Sequence, residues 1–269
     1  METNPIVFSG SIPQLYEDYL GPFLFEPFAL DIANRIGQQD RSRHVLELAC
    51  GTGRLTRHLL ARLGKSDLLT ATDINPEMMA VAREKIQAHN LLWNIADITD
   101  IPYQENFFDL IVCQFGLMLV PEKDKALAEI ARVMKKNGRF LFNVWGDRKA
   151  NGIWSIGMKV IGSFLGGNPI PQNAGPFSME DDQETIRLLK EAGFRDIKAT
   201  SVSKTGVIAS AGIAAKGFIE GLPIAQVLRQ RDPSLINRIE GALAKELTDQ
   251  LGDQPLQSPL LAWVFEAVK

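Results

Sequence analysis

The chain has 269 residues, 45% of them hydrophobic and 23% charged, with a formal net charge of −3. That length suits one large α/β domain, or one domain with a small cap. The slightly acidic balance argues against general affinity for nucleic acid or anionic membrane. Cys50 and Cys113 are the only cysteines, each inside an apolar strand pattern. Two such cysteines make neither a disulfide framework nor a metal site, and they read as reduced core thiols of a cytoplasmic protein. No apolar run reaches the ~18 residues of a membrane span. The closest, 152–170, is broken by Ser155, Lys159, Ser163 and Asn168. No Lys or Arg precedes Arg35, so the basic start of a signal peptide is missing.

Residues 1–36 gather Phe8, Tyr16, Tyr19, Phe23, Phe25 and Phe28 in a segment that reads as an amphipathic helical arm. Next comes HVLELACGTGRLT at 44–56. Val45, Leu46 and Leu48 form a short apolar run, as in a strand buried on both faces of a parallel sheet. The run stops at Gly51-Thr52-Gly53 and a helical pattern follows over 54–63, closed by Gly64. A strand that turns through glycines into a helix aims free N–H groups and a positive dipole end at a ligand, and the glycines allow close approach.

A second strand over 68–72 ends at Asp73, 20 residues beyond Gly53. At that spacing an acid meets ribose hydroxyls. Asn75-Pro76 starts a helix to about 88, with Pro at its first position. The third strand, 91–96, ends in Asp97-Ile98, and the fourth, 107–115 (FFDLIVCQF), ends in Gln114 and Phe115. Residues 121–134 form an amphipathic helix terminated by Asn137-Gly138, and 139–145 (RFLFNVW) is the fifth strand. Residues 146–180 then break the rhythm with five glycines (152, 157, 162, 166, 167) among apolar residues including Trp154. This piece reads as a helical hairpin on the sheet edge or as a lid hinged by its glycines. A helix over 178–192 carries a Ser-x-x-Asp capping signal, and a strand of alternating character covers 194–204. A helical insertion spans 206–258, in which Leu235, Ile236, Ile239, Leu243 and Leu247 share one face of a helix. An apolar strand over 260–268 closes the chain.

The glycine turn admits two readings. A dinucleotide fingerprint, G-x-G-x-x-G/A, would need a small last residue where Thr56 stands. The alternative, E-x-A-x-G-x-G from Glu47 to Gly53, resembles motif I of the class I S-adenosylmethionine-dependent methyltransferases. The arm, IPQLYEDYLGPFLFEPFA, and the order of the strands resemble the small-molecule, ubiquinone/menaquinone-biosynthesis type of that family. The resemblance implies a doubly wound, seven-stranded, mostly parallel sheet, its last strand antiparallel between the fifth and sixth. The cofactor-binding core would be 37–145, 178–205 and 259–269, with the arm at 1–36 and helical caps at 146–177 and 206–258.

It further implies that S-adenosylmethionine binds and leaves as S-adenosylhomocysteine. Glu47 would hold the ammonium of the methionine moiety, beside Ala49, Gly51 and Gly53. Asp73 would hold the ribose, Ile74 and Met78 would pack the adenine, and Asp97 and Ile98 would receive it. Gln114 would stand at the switch point, and Tyr16 and Tyr19 of the arm would fold over the sulfonium, although both tyrosines also suit a scaffold role. Three carboxylates at successive strand tips fit an amine, a diol and an adenine, whereas a pyrophosphate would be poorly served by Glu47. An NAD-dependent oxidoreductase and a non-catalytic nucleoside-cofactor-binding protein remain the alternatives.

Methyl transfer needs an aligned acceptor in a dry site, and no general base can be named. His44 lies at the wrong end of the first strand, and His58 and His89 suit a surface helix and a helix end. No zinc spacing and no Ser/His/Asp set appears. The expected acceptor is a small apolar or aromatic molecule, methylated on O, N or C.

Overall fold

The computed structural model describes residues 8–37, 43–167 and 175–269. In chain order the elements are helix α1 (Ile12–Leu15), a π-helix (Tyr16–Phe25), α2 (Glu26–Asn34), β1 (His44–Leu48), α3 (Arg54–Arg62), β2 (Leu68–Asp73), α4 (Pro76–Lys85), β3 (Leu91–Ile95) and β4 (Phe108–Gln114). There follow α5 (Lys123–Val133), β5 (Met134–Trp145), α6 (Gly152–Leu165), α7 (Asp182–Glu191), β6 (Arg195–Ile208), α8 (Ala211–Glu220), α9 (Ile224–Arg231), α10 (Ser234–Leu251) and β7 (Leu256–Val268). The strands form one seven-stranded sheet in the order β3-β2-β1-β4-β5-β7-β6. β1 pairs in parallel with β2 and β4, β2 with β3, and β4 with β5, while β7 runs antiparallel to β5. This is the expected doubly wound sheet. Its order reverses at β1, so β1 and β4 leave a crevice beyond their carboxyl ends.

The chain divides into two compact units. The α/β unit comprises Phe28–Arg148, Ile170–Ser203 and Leu261–Lys269. Its central strands are apolar because both faces are covered: Val45, Leu46, Leu48, Ile111, Val112 and Cys113 are all fully buried. The other unit comprises Met1–Pro27, Lys149–Pro169 and Lys204–Leu260; the expected arm is therefore divided, with Phe28 and the residues after it in the α/β unit, and the first insertion is divided likewise. In this other unit α8 packs against α10 and against the π-helix, and α6 against α10. The π-helix is defined by bonds such as Glu26 N–H to the Gly21 carbonyl, one residue wider than an α-helix. Pro22 inside it has no N–H to give, which the looser winding tolerates.

Several local expectations are corrected. Asn137-Gly138 does not end a helix: α5 stops at Val133, β5 begins at Met134, and left-handed Asn137 lies in that strand, where the β4–β5 register also shifts. The N-cap of α7 is Asp181, whose carboxylate accepts from the N–H groups of Gln183 and Glu184. Ser178 lies in the preceding turn and donates its hydroxyl to the Met118 carbonyl. Gly64 is no left-handed cap; its N–H donates to Asp67. In place of a hairpin, the described part of 146–177 holds a single long helix, α6; its residues 168–174 lie outside the described residues. The α6 glycine at 157 is a packing glycine, since a Cβ there would sit 2.4 Å from the Phe218 ring.

Candidate functional site

The site is assembled where β1, β2 and β4 end. The backbone leaves β1 through three left-handed residues, Ala49 (φ 52°), Gly51 (φ 55°) and Gly53 (φ 79°), the last of which starts α3. The two glycines take this region without strain, whereas Ala49 pays for its Cβ. Cys50 N–H donates to the Thr72 carbonyl at 2.9 Å and Gly51 N–H to Asp73 Oδ2 at 2.7 Å, tying the turn to the tip of β2. Gly51 faces Met78: a Cβ there would lie 3.6 Å from the Met78 methyl. Gly53 is glycine for another reason, because a Cβ there would meet Ile86 Cδ1 at 2.6 Å and Ala82 Cβ at 3.0 Å. It serves the close packing of α3 on α4.

Glu47 is buried in β1 at 1% exposure, and its Oε2 has no hydrogen-bond partner. Burial pushes its pKa up to about 8; the buried Thr56 hydroxyl opposes that rise and the Asp73 charge adds to it. Asp73 is also raised by burial, against the backbone N–H groups of Asn75, Gly51 and Ile74. Its Oδ1 accepts from Asn75 N–H at 2.8 Å and its Oδ2 from Gly51 N–H, so backbone donors hold both carboxylate oxygens. Asn75 caps α4 by accepting from Glu77 and Met78 N–H. Ile74, between them, is 64% exposed, unusual for an isoleucine beside a buried carboxylate. Met78 is buried.

Asp97 is exposed, and its Oδ1 accepts from the Thr99 N–H (2.7 Å) and hydroxyl (2.8 Å). It therefore caps a turn, while Ile98 is buried behind it. Ala96 N–H donates to the Asp73 carbonyl, joining this tip to β2. Glu47, Ala49, Gly51, Asp73, Ile74 and Met78 thus form one contiguous group, with Asp97 and Ile98 one strand further out. Gln114 ends β4, opposite Asn143 of β5. Tyr16 and Tyr19 belong to the other unit: Tyr16 stacks on Phe25 at 5.0 Å, and Tyr19 packs its Cβ on Gly217 beneath the Lys216 ammonium.

Sequence reasoning left parts of this corner unread. Phe115, just past β4, is left-handed (φ 52°) and its N–H is held by both the carbonyl and the side-chain Oδ1 of Asn143, each at 3.1 Å. Asn143 is fully buried, and its Nδ2 has no partner. The Phe115 ring stacks on Trp145 at 4.1 Å, with Phe28 edge-on to both. Gly116 presses on Ala49 so closely that a Cβ would fall 2.3 Å from the Ala49 Cβ. One signal was available, the lone polar Asn143 inside RFLFNVW. None of the three histidines stands at a carboxyl strand end: His44 starts β1, His58 is mid-α3 and His89 precedes β3. Among the described residues no group of three or more His, Cys, Asp or Glu could hold a metal ion. No single helix there is long and apolar enough to cross a membrane, although α8 and α9, bent by 80°, pass together by length and composition.

A strand-tip site in a sheet of this order defines a nucleoside-cofactor protein of the doubly wound class. Comparison with known proteins makes the class specific. A methyltransferase domain model matches residues 46–142. The ubiquinone/menaquinone biosynthesis C-methyltransferase UbiE of Shewanella pealeana is 32% identical over 183 residues, covering 61% of this chain and 71% of that protein. The fold is shared with YcgJ of Bacillus subtilis (TM-score 0.59, 17% identity, 90% of this chain and 98% of that one). It is shared too with phosphoethanolamine N-methyltransferase 2 of Haemonchus contortus, solved with S-adenosyl-L-methionine (TM-score 0.60, 16% identity, 96% and 56%). The chain belongs to the class I S-adenosylmethionine-dependent methyltransferases. It is an enzyme that uses S-adenosylmethionine and methylates a small molecule, and nothing supports the oxidoreductase or the non-catalytic reading.

Proposed function

We propose that this enzyme methylates a small aromatic acceptor of the quinol or phenol kind, with the cofactor held along the tips of β1, β2 and β3. The observation that carries the cofactor assignment is Glu47, a buried carboxylate with an unpartnered oxygen under a glycine turn. In a low-dielectric site such a group favours a cationic partner. Glu47 then takes the ligand's ammonium, with Ala49, Gly51 and Gly53 giving close backbone approach. Asp73 offers its remaining acceptor capacity to the ribose hydroxyls. Ile74 and Met78 supply an apolar face to the adenine, and Asp97 and Ile98 receive its edge. Gln114 lies at the switch point. When bound, the cofactor supplies an electrophilic methyl on sulfur, displaced in line. The chain's part is to orient the acceptor and exclude water; no residue is assigned as a base.

The aromatic acceptor is supported by the named activity of the 32% identical relatives. Support also comes from the apolar pairs of the unit around the arm's first part, where Trp154 packs on Phe218 and Tyr16 on Phe25. We further propose that nucleic acid is not an acceptor given the net charge of −3, and that the enzyme works in the cytoplasm, where its two free thiols stay reduced. The test is incubation with methyl-labelled S-adenosylmethionine and a panel of quinols, phenols, small amines and RNA. Label in a quinol or phenol is expected. Label only in amines or RNA would contradict the reading.

A further inference from the structure

Glu47 is an unusual carboxylate. It sits in β1, an inner strand of the sheet, almost wholly buried, and no cation pairs with it among the described residues. A carboxylate in that position has lost its water and gained no counter-ion, which is the most costly way to bury a charge. The groups facing it make matters worse. From β2, Asp73 contributes a like charge, and from α3 only the Thr56 hydroxyl offers relief. The Cys50 thiol beside it and the Cys113 thiol on β4 are both driven up by burial, Cys113 to about 12, so neither changes charge in the neutral range. Arg83 opposes the rise at Cys50, and no cation is among the causes acting on Glu47. With no cation against it, Glu47 is therefore least costly with its proton on.

We propose that Glu47 recognises the ammonium of an amino-acid-bearing ligand by giving up its own proton to solvent, so that cofactor binding releases a proton. The exchange balances: –COOH plus the ligand's –NH3+ becomes –COO− paired with –NH3+, and one H+ leaves to the buffer. No bond to carbon or sulfur changes. This rests on the assignment of the glycine turn as the cofactor site and adds a specificity rule to it. A nucleoside thioether with no ammonium offers nothing to compensate the charge, so it leaves the proton in place and forgoes the ion pair.

The experiment is calorimetric titration of the full chain at about pH 6.5 in two buffers of different ionisation enthalpy, which yields the protons exchanged per ligand. The ligands are S-adenosylhomocysteine and 5′-methylthioadenosine, which lacks the amino-acid portion. With S-adenosylhomocysteine about one proton should be released, falling towards none above roughly pH 9. With 5′-methylthioadenosine none should be released, and Glu47→Gln should bind S-adenosylhomocysteine more weakly with none. Binding of S-adenosylhomocysteine without proton release, or release that persists in Glu47→Gln or with 5′-methylthioadenosine, would overturn the proposal and leave the cofactor site standing. Failure of S-adenosylhomocysteine to bind at all would overturn both. The comparison of the two ligands uses the unaltered chain, so it decides the matter even if the variant does not fold.

Discussion

The Asp73 oxygens anchor the Gly51 and Asn75 N–H groups, which sets the glycine turn against β2, and the proposed cofactor role gives the same carboxylate the ribose hydroxyls. Asp73→Ala removes both, and cofactor binding should weaken by about 2–4 kcal/mol, from charge-assisted bonds lost and partly replaced by water. Asp73→Asn keeps one oxygen acceptor and should fall between the two. Titration with S-adenosylhomocysteine measures both, and an alanine variant with unchanged affinity would reduce Asp73 to a cap. Asp73 was legible from its spacing to the glycines; its anchoring role was not, because it depends on where the turn's N–H groups point. Phe115 and Asn143 were harder still. A left-handed phenylalanine leaves no mark in sequence, and its restraint comes from a residue 28 positions away.

At the scale of elements, Gly53 is the sharpest case. Its sequence context suggests close approach to a ligand, yet the atoms nearest its missing Cβ are Ile86 and Ala82 of the neighbouring helix. Gly53→Ala should cost about 2–4 kcal/mol of stability, from the positive φ together with overpacking against Ile86 Cδ1 and Ala82 Cβ. Urea unfolding tests this; a loss below ~0.5 kcal/mol, the range of an ordinary surface change, would show that α3 and α4 simply move apart. β1, β2 and β4 were readable because buried parallel strands are apolar runs, whereas β3 and β6 carry more exposed positions and β7 alternates. The element ends were less readable. Asn137-Gly138 carries the residues of a helix stop but serves inside a strand, and Asp181 outcompetes Ser178 as a cap because it stands directly before the first helical turn. The π-helical winding of the arm has no composition signal, since its apolar residues suit an α-helix equally well.

For the whole molecule, the buried Glu47 sets a pH dependence opposite to that of a salt-bridged acid. Its folded-state pKa is raised, so the folded chain holds a proton the unfolded chain has lost. The contribution is fully present below about pH 4.5 and is lost as pH rises through about 8. Between those limits the ligand-free protein should lose up to ~1.4 kcal/mol per pH unit from this group. Melting temperatures across that range should decline towards alkaline pH, and Glu47→Gln should flatten the decline. An equal slope in the variant would place the titration elsewhere. The same logic makes the fold more stable with a cationic ligand bound, by the margin that its binding supplies.

The proposed site assigns the strand-tip carboxylates to an amine, a diol and an adenine in place of a complete dinucleotide turn, and the direct test is calorimetric titration of the purified chain with S-adenosylmethionine and, separately, with NAD. Saturable binding of S-adenosylmethionine at one site per chain, with no heat from NAD, is the expected result. Saturable binding of NAD with no response to S-adenosylmethionine would contradict the assignment of these tips.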